Sequence, residues 1–217
     1  MILLNSHHFR NPLVIDLLKV RSGLKNQYDL PLWFMGHHLD ATFDYNASTT
    51  SLMMMGEDNG YQHLWKEGST TLEAGSEQFT WFGDGRFYTV TMEADQDDEV
   101  IFARSGAQDP NFNLRHDPVL IHRRSADNTL YASVIESHGR YNPVSEIPLS
   151  PFSGIKSIET LYDDEAYSVI RVAHNSGDLW TIAISYKDNS ADSAHSLMVD
   201  NIPMEWKGTV HINHKMK

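Results

Sequence analysis

Phe79-Thr80-Trp81-Phe82-Gly83-Asp84-Gly85-Arg86-Phe87-Tyr88-Thr89-Val90-Thr91-Met92 decides the fold class. Aromatic and β-branched residues alternate with polar ones on both sides of a Gly-Asp-Gly turn. That period of two gives each arm one buried and one outward face, and the turn residues accept the positive φ a tight hairpin requires. The same grammar recurs outward from this point. Tyr167-Ser168-Val169-Ile170-Arg171-Val172-Ala173 meets Leu179-Trp180-Thr181-Ile182-Ala183-Ile184 across Asn175-Ser176-Gly177-Asp178. Val119-Leu120-Ile121-His122 and Leu130-Tyr131-Ala132-Ser133-Val134-Ile135 are predicted to pair across Ser125-Ala126-Asp127-Asn128. Met1-Ile2-Leu3-Leu4 and Leu13 to Val20 are strand-like, and further strands are predicted at 28–34, 60–66, 99–104, 155–162 and 204–211. Almost nothing reads as a helix. Roughly a dozen strands exceed one sheet of a sandwich, so the expectation is an all-β, multi-sheet antiparallel β-sandwich over residues 1–217 as one domain. A chain that opens inside a sheet, with no leader, reads as the rear part of something longer.

Composition narrows the chemistry. A hydrophobic fraction of 41% is that of a globular protein, and the absence of cysteine removes disulfides, thiolate metal sites and a cysteine nucleophile. The net charge of -12 argues against a general nucleic-acid surface, which needs a positive field, and against broad capture of a polyanion. Local basic clusters remain at Arg10, Lys19, Arg21 and Lys25, and at Arg104, Arg115, Arg123 and Arg124; solvated strand faces are their plain reading. No stretch supplies the roughly 20 apolar residues of a membrane helix. The acidic run Asp95 to Glu99 reads as a solvated turn. Two stretches resist strand assignment, Asp40 to Met55 and Asp109-Pro110-Asn111-Phe112-Asn113-Leu114.

Twelve histidines invite a metal reading. His7-His8 sits in the first turn, His37-His38 past the third strand, and His63 within Gly60-Tyr61-Gln62-His63-Leu64-Trp65. Asp16, Asp29 and Asp40 are carboxylates such histidines could join in a nitrogen and oxygen site, but none of the spacings singles one out. Ser137-His138-Gly139-Arg140-Tyr141-Asn142-Pro143 places His and Tyr in what reads as a short loop. They could form an acid/base pair, or the loop could be fixed by a buried Tyr hydroxyl and a turn-permitting Gly. Trp33, Trp65, Trp81, Trp180 and Trp206 could stack sugars, although core packing is the default for tryptophan in strands. There is no Gly-x-Ser-x-Gly elbow and no phosphate-cradling Gly-x-x-x-x-Gly-Lys loop.

Five segments in order resemble the C-terminal half of alginate and oligoalginate lyases of polysaccharide lyase family seventeen, in the heparinase II/III-like group. They are Asn11-Pro12-Leu13-Val14-Ile15-Asp16-Leu17, Gln27-Tyr28-Asp29-Leu30-Pro31, Gly60 to Trp65, Asp109 to Arg115, and Ser137 to Pro143. The resemblance implies an N-terminal helical (α/α) toroid, absent here, followed by the β region this chain would represent. It implies β-elimination on an anionic uronate polysaccharide or oligosaccharide, in a parent that is periplasmic or secreted. The Asn-His pair and the tyrosine expected to move protons belong to the helical part, and a further active-site tyrosine would precede Met1. No catalytic residue is therefore expected in this chain, and its substrate-binding residues stay open. The structural zinc site that the resemblance implies for the full-length parent uses two histidines and an aspartate. Only its last histidine would fall here, at His7 or His8. In family members a histidine often stands where this chain has Asn26. The alternative reading is a non-catalytic carbohydrate-binding or scaffold β protein. A severed sheet would also leave an exposed edge open to self-association.

Overall fold

The computed structural model describes residues 1–48, 51–106, 116–188 and 190–217. Its strands are β1 (Ile2–Leu4), β2 (Leu13–Trp33), β3 (His37–Ala41), β4 (Asn46–Ala47), β5 (Met53–Met54), β6 (Leu64–Thr71), β7 (Gly75–Gly83), β8 (Arg86–Ala94) and β9 (Glu99–Ser105). There follow β10 (Pro118–Asn142), β11 (Ile147–Leu149), β12 (Ile155–Asp163), β13 (Tyr167–His174), β14 (Leu179–Ser185), β15 (Ala194–Val199), β16 (Ile202–Lys207) and β17 (Val210–Lys215). One 3₁₀ turn, Tyr61–His63, interrupts them. The all-β, multi-sheet antiparallel expectation holds.

β10 organises the large sheet. One of its edges pairs with β2 along nearly the whole length, from Val119↔Trp33 to Ile135↔Val14. Its other edge pairs first with β9 (Val119↔Ala103) and then with β8 (Ile135↔Val90). The sheet therefore splits into a β9–β6 arm and a β8–β7–β3 arm. The two arms curl together over Phe34, Phe79, Trp81, Met92, Phe102 and Leu120. The opposite face of the β9 end buries Ile101, Ala103, Val119 and Ile121 under Met55 and Leu64. Strict alternation along β9 sends Val100 and Phe102 to one core and Ile101 and Ala103 to the other.

The sheet β12-β13-β14-β17 packs on the other end of β2 and β10. Leu13, Ile15, Val134, Ile170, Val172 and Ile182 are fully buried between them, each worth about 1.5–3 kcal/mol of burial. The reverse face of β13 and β14 is covered by the β15–β16 hairpin through Tyr167, Val169, Ala183, Val199 and Trp206. That double burial explains why β13 reads as an almost continuous apolar run.

The hairpins expected at 79–92 and 167–184 form as read. Asp84 and Gly85, at φ 49° and 73°, make the two-residue link between β7 and β8. Gly177, at φ 96°, turns β13 into β14.

The hairpin expected across Ser125 to Asn128 does not form. Residues 118–142 are one strand, and the separately expected strands at 13–20 and 28–34 are likewise one strand, β2. The polar stretches lie opposite each other at a bulge, where Ala126 faces Asn26 and Asn128 faces Arg21. Turn-forming residues there are tolerated because both sides of the bend are solvated. Each half of the strand is held by a different core. The stretch at 204–211 is two strands, β16 and β17, separated at Gly208 (φ 81°). Of 60–66, only the end from Leu64 is strand. The irregular stretch Asp40 to Met55 carries the end of β3 and the two-residue strands β4 and β5. The segment from Asp109 to Arg115 lies outside the described residues.

Candidate functional site

Two of the five family-like segments meet in space. Asp29 on β2 accepts a hydrogen bond from the Tyr61 hydroxyl of the 3₁₀ turn. Arg123 on β10 clasps the same carboxylate through Nε at 2.7 Å and Nη2 at 2.8 Å, and its Nη1 reaches Glu99 at 3.4 Å. Planar two-point pairing of this kind fixes geometry as well as charge. A groove of about 370 Å³ opens beside the clasp, bordered by Asp29, Trp33, Tyr61, His63, Leu64 and Ile121. Trp33 is 51% exposed there. The other four tryptophans are buried at 2–7%, as the core-packing default requires.

The electrostatics of the clasp define what it can do. Burial pushes the Asp29 carboxyl up, but hydrogen bonds from Arg123 and Tyr61 outweigh it and hold it below the ordinary carboxylate value. The Tyr61 phenol is raised, chiefly because its O–H donates to the Asp29 carboxylate. Arg123 is raised by the same carboxylate. Tyr61 is thus a poor proton acceptor, and the Arg123 charge is already matched by Asp29 and Glu99. The groove offers the exposed Trp33 indole, the Tyr61 phenol already engaged by Asp29, and the His63 imidazole.

The remaining sequence-flagged residues scatter. His37 and His38 border a second hollow of about 550 Å³ with Phe34, Tyr45, Phe102 and Arg104. Burial lowers the His38 pKa, against an opposing pull from Asp40, and Arg104 is paired with Glu67. Ser137 to Asn142 is strand rather than loop. Its Tyr141 is 40% exposed while His138 is 7% exposed, the reverse of a buried Tyr anchor. His138 Nδ1 donates to the Ser150 carbonyl at 2.9 Å, leaving Nε2 to accept from the Thr89 hydroxyl at 2.9 Å. Gly139 is required by close approach: a Cβ there would lie 2.0 Å from the Ser150 carbonyl oxygen.

The acidic run is not simply a solvated turn. Asp98 is 2% exposed and accepts from His122 Nε2 (2.6 Å), Arg124 Nη2 (2.6 Å) and the Asp95 amide (2.8 Å). Burial pushes its carboxyl up, and these donors bring it below the ordinary value. Arg124, at 5% exposure, is likewise buried rather than solvated. Lys19 is tied to Asp163 at 2.8 Å and Arg21 to Glu165 at 3.3 Å. Arg115 lies outside the described residues.

Of the adjacent pair in the first turn, His7 is exposed and His8 turns inward, their rings 4.0 Å apart. His8 Nε2 lies 3.3 Å from Asp178 Oδ2, and His214 Nε2 lies 3.4 Å from Asp178 Oδ1. Among the described residues this is the one group of three with donor atoms within 4.8 Å of one another. Asp16, Asp29 and Asp40, the carboxylates expected to partner the histidines, are not in it. Nothing in the sequence marked Asp178 or His214, which lie 170 and 206 positions from His8. The Asn175 to Asp178 stretch signalled a turn, and only that.

No family model matches the chain. Over 212 residues, 96% of its length, it is 34% identical to a Saccharophagus degradans protein named exo-oligoalginate lyase. Over 200 residues, 91% of its length, it is 36% identical to a Stenotrophomonas maltophilia protein named alginate lyase. The chain is therefore related to alginate lyases across nearly its whole length. It spans 28% and 26% of the length of these relatives.

Proposed function

We propose that this chain is the β-sandwich portion of a uronate polysaccharide lyase of family seventeen, acting on alginate or oligoalginate by β-elimination. The observation that carries the reading is the similarity to two proteins named as alginate lyases over nine-tenths of the chain. In such a reaction a base removes the C5 proton, the electron pair forms a C4–C5 double bond, and the C4–O bond breaks as the leaving oxygen gains a proton. The C5 proton is weakly acidic until the uronate carboxylate is neutralised. On this reading a helical domain outside the chain supplies the base, the acid and the carboxylate-neutralising groups. The present strands form the supporting wall, as one domain over 1–217, and are inactive alone.

The electrostatics agree with a supporting role: the Tyr61 hydroxyl keeps its proton and donates a hydrogen bond to Asp29, and Arg123 is spent on two carboxylates. The parent is periplasmic or secreted on the same reading. Among the described residues no helix is long and apolar enough to cross a membrane. The edge of β2 beyond its pairing with β1 has no strand partner among the described residues, and Leu18, Leu24 and Trp33 are exposed along the strand. This edge is where the remainder of the parent, or a second copy of the chain, would dock.

The coding sequence upstream of Met1 tests the proposal. An in-frame or frameshifted helical domain supports it, and an unrelated gene counts against it. Exposure of Trp33 at the groove favours one second reading, a binding module without catalysis. Tryptophan quenching by oligoalginate with no unsaturated product, in a chain that has no upstream helical partner, would select that reading.

A further inference from the structure

We propose that His8, Asp178 and His214 form a binding site for a zinc-like divalent cation that ties the first turn of the chain to its last strand. The three side chains come from distant places: the β1–β2 turn, the β13–β14 turn and β17. Two imidazole nitrogens and a carboxylate are the donor types that suit a borderline cation such as Zn²⁺; calcium and magnesium prefer oxygen alone. A tetrahedral zinc with bonds of about 2.0–2.1 Å holds its ligands about 3.3–3.4 Å apart. Here the three donors lie within 4.8 Å of one another, with Asp178 Oδ2 3.3 Å from His8 Nε2 and Oδ1 3.4 Å from His214 Nε2, so small side-chain movements would close them on one ion.

A direct hydrogen bond from His8 to Asp178 does not account for this arrangement. His8 Nε2 is sealed from solvent and meets no hydrogen-bond partner, although Asp178 is 3.3 Å away. An orphaned buried nitrogen costs free energy that a coordinate bond would recover. The surroundings orient the donors. The His214 ring stacks on Trp180 at 4.6 Å and 4°, and His8 meets the same indole edge-on at 5.8 Å. The Ser176 hydroxyl donates to Asp178 Oδ2, the outer support that metal-ligating carboxylates commonly have. Three protein donors leave one position for water.

The set differs from the zinc site implied by the family resemblance. That site draws its ligands from the start of the β region, with only its last histidine in this chain, at His7 or His8, whereas Asp178 and His214 come from the other end of this chain. The cation would act as a staple, since the donors sit over the core between β2 and the β12–β13–β14–β17 sheet, not at the Trp33 groove.

The tag-free, chelator-stripped full chain is titrated with Zn²⁺ by calorimetry, and separately with Co²⁺ as a visible-absorbance reporter of coordination. One Zn²⁺ per chain is expected, with a thermal midpoint rise of about 5–10 °C at a hundredfold excess over Kd. His8→Ala and His214→Ala each weaken binding at least tenfold, and His7→Ala leaves it unchanged. Should the alanine variants fail to fold, Zn²⁺-induced shifts of the His8 and His214 ring-nitrogen resonances in the unmodified chain decide the matter. Absence of saturable Zn²⁺ binding, affinity unchanged in both variants, or unmoved His8 and His214 resonances would overturn the proposal.

Discussion

Replacing Asp98 with alanine is the sharpest test of how this fold is held. Asp98, His122 and Arg124 are exposed by only 2%, 4% and 5%, and they join the start of β9 to the first part of β10. Without the carboxylate, the Arg124 guanidinium keeps Thr129 Oγ1, the Leu130 and Glu93 carbonyls, and the half-solvated Asp95 carboxylate at 3.0 Å. It loses its Nε contacts at 3.0 Å and its Nη2 contact at 2.6 Å to Asp98, and His122 Nε2 loses its acceptor. Removing one partner of a buried ionic pair costs about 3–5 kcal/mol, because the other charge stays buried. For a chain of this size each kcal/mol moves the thermal midpoint by roughly 2–4 °C, so Asp98→Ala should fall by about 6–20 °C. The control is Glu159→Ala, which breaks the exposed Arg171 pair at 2.9 Å and should cost no more than about 1 kcal/mol. The assay is urea unfolding followed by circular dichroism, with thermal melts alongside. Equal losses in the two variants would refute the claim that the Asp98 network is a buried anchor.

Acidification should act through the same groups. Asp29 and Asp98 are both held below the ordinary carboxylate value in the folded chain. The unfolded chain therefore binds more protons as pH falls. Their stabilisation is full above the unfolded carboxylate pKa and is lost progressively below about pH 5. A flat urea midpoint between neutral pH and pH 3 would contradict this. Gly139→Ala forces a Cβ against the Ser150 and Leu149 carbonyl oxygens, at 2.0 and 2.4 Å, and should cost about 1–3 kcal/mol by displacing β11; an unchanged melt would show that β11 yields freely. Trp33→Ala removes a half-exposed ring and should shift stability by no more than about 0.5 kcal/mol. It should abolish quenching of tryptophan emission by oligoalginate, and retained quenching would place sugar contact elsewhere.

The two hairpins at 79–92 and 167–184 were legible because turn chemistry and period-two alternation agree there. The long strands were not. Ser125 to Asn128 carries every local sign of a turn, yet Gln27, Asn26 and Arg21 on β2 offer it a matching partner across a shared bulge. That match is a property of two segments about a hundred residues apart. Asp98 was misread for a similar reason: a run of acids looks solvated until one of its members is found beneath a buried arginine. The candidate site was legible in part. Asp29 and Tyr61 lay in segments singled out for resemblance, but their union through Arg123 depends on the β2–β10 register. His8 was flagged as one of two residues, and only the fold separates it from His7. Asp178 and His214 carried no sequence signal, since strand pairing of Trp180 with His214 is what brings them together.

On the proposed function, these strands support a lyase cleft without supplying its proton transfer. The direct measurement is prolonged incubation of the homogeneous chain with alginate and with short oligoalginates, following the ultraviolet absorbance of the C4–C5 unsaturated product. No rise above a protein-free control is expected. A steady rise that scales with protein concentration, and that survives rigorous repurification, would contradict it.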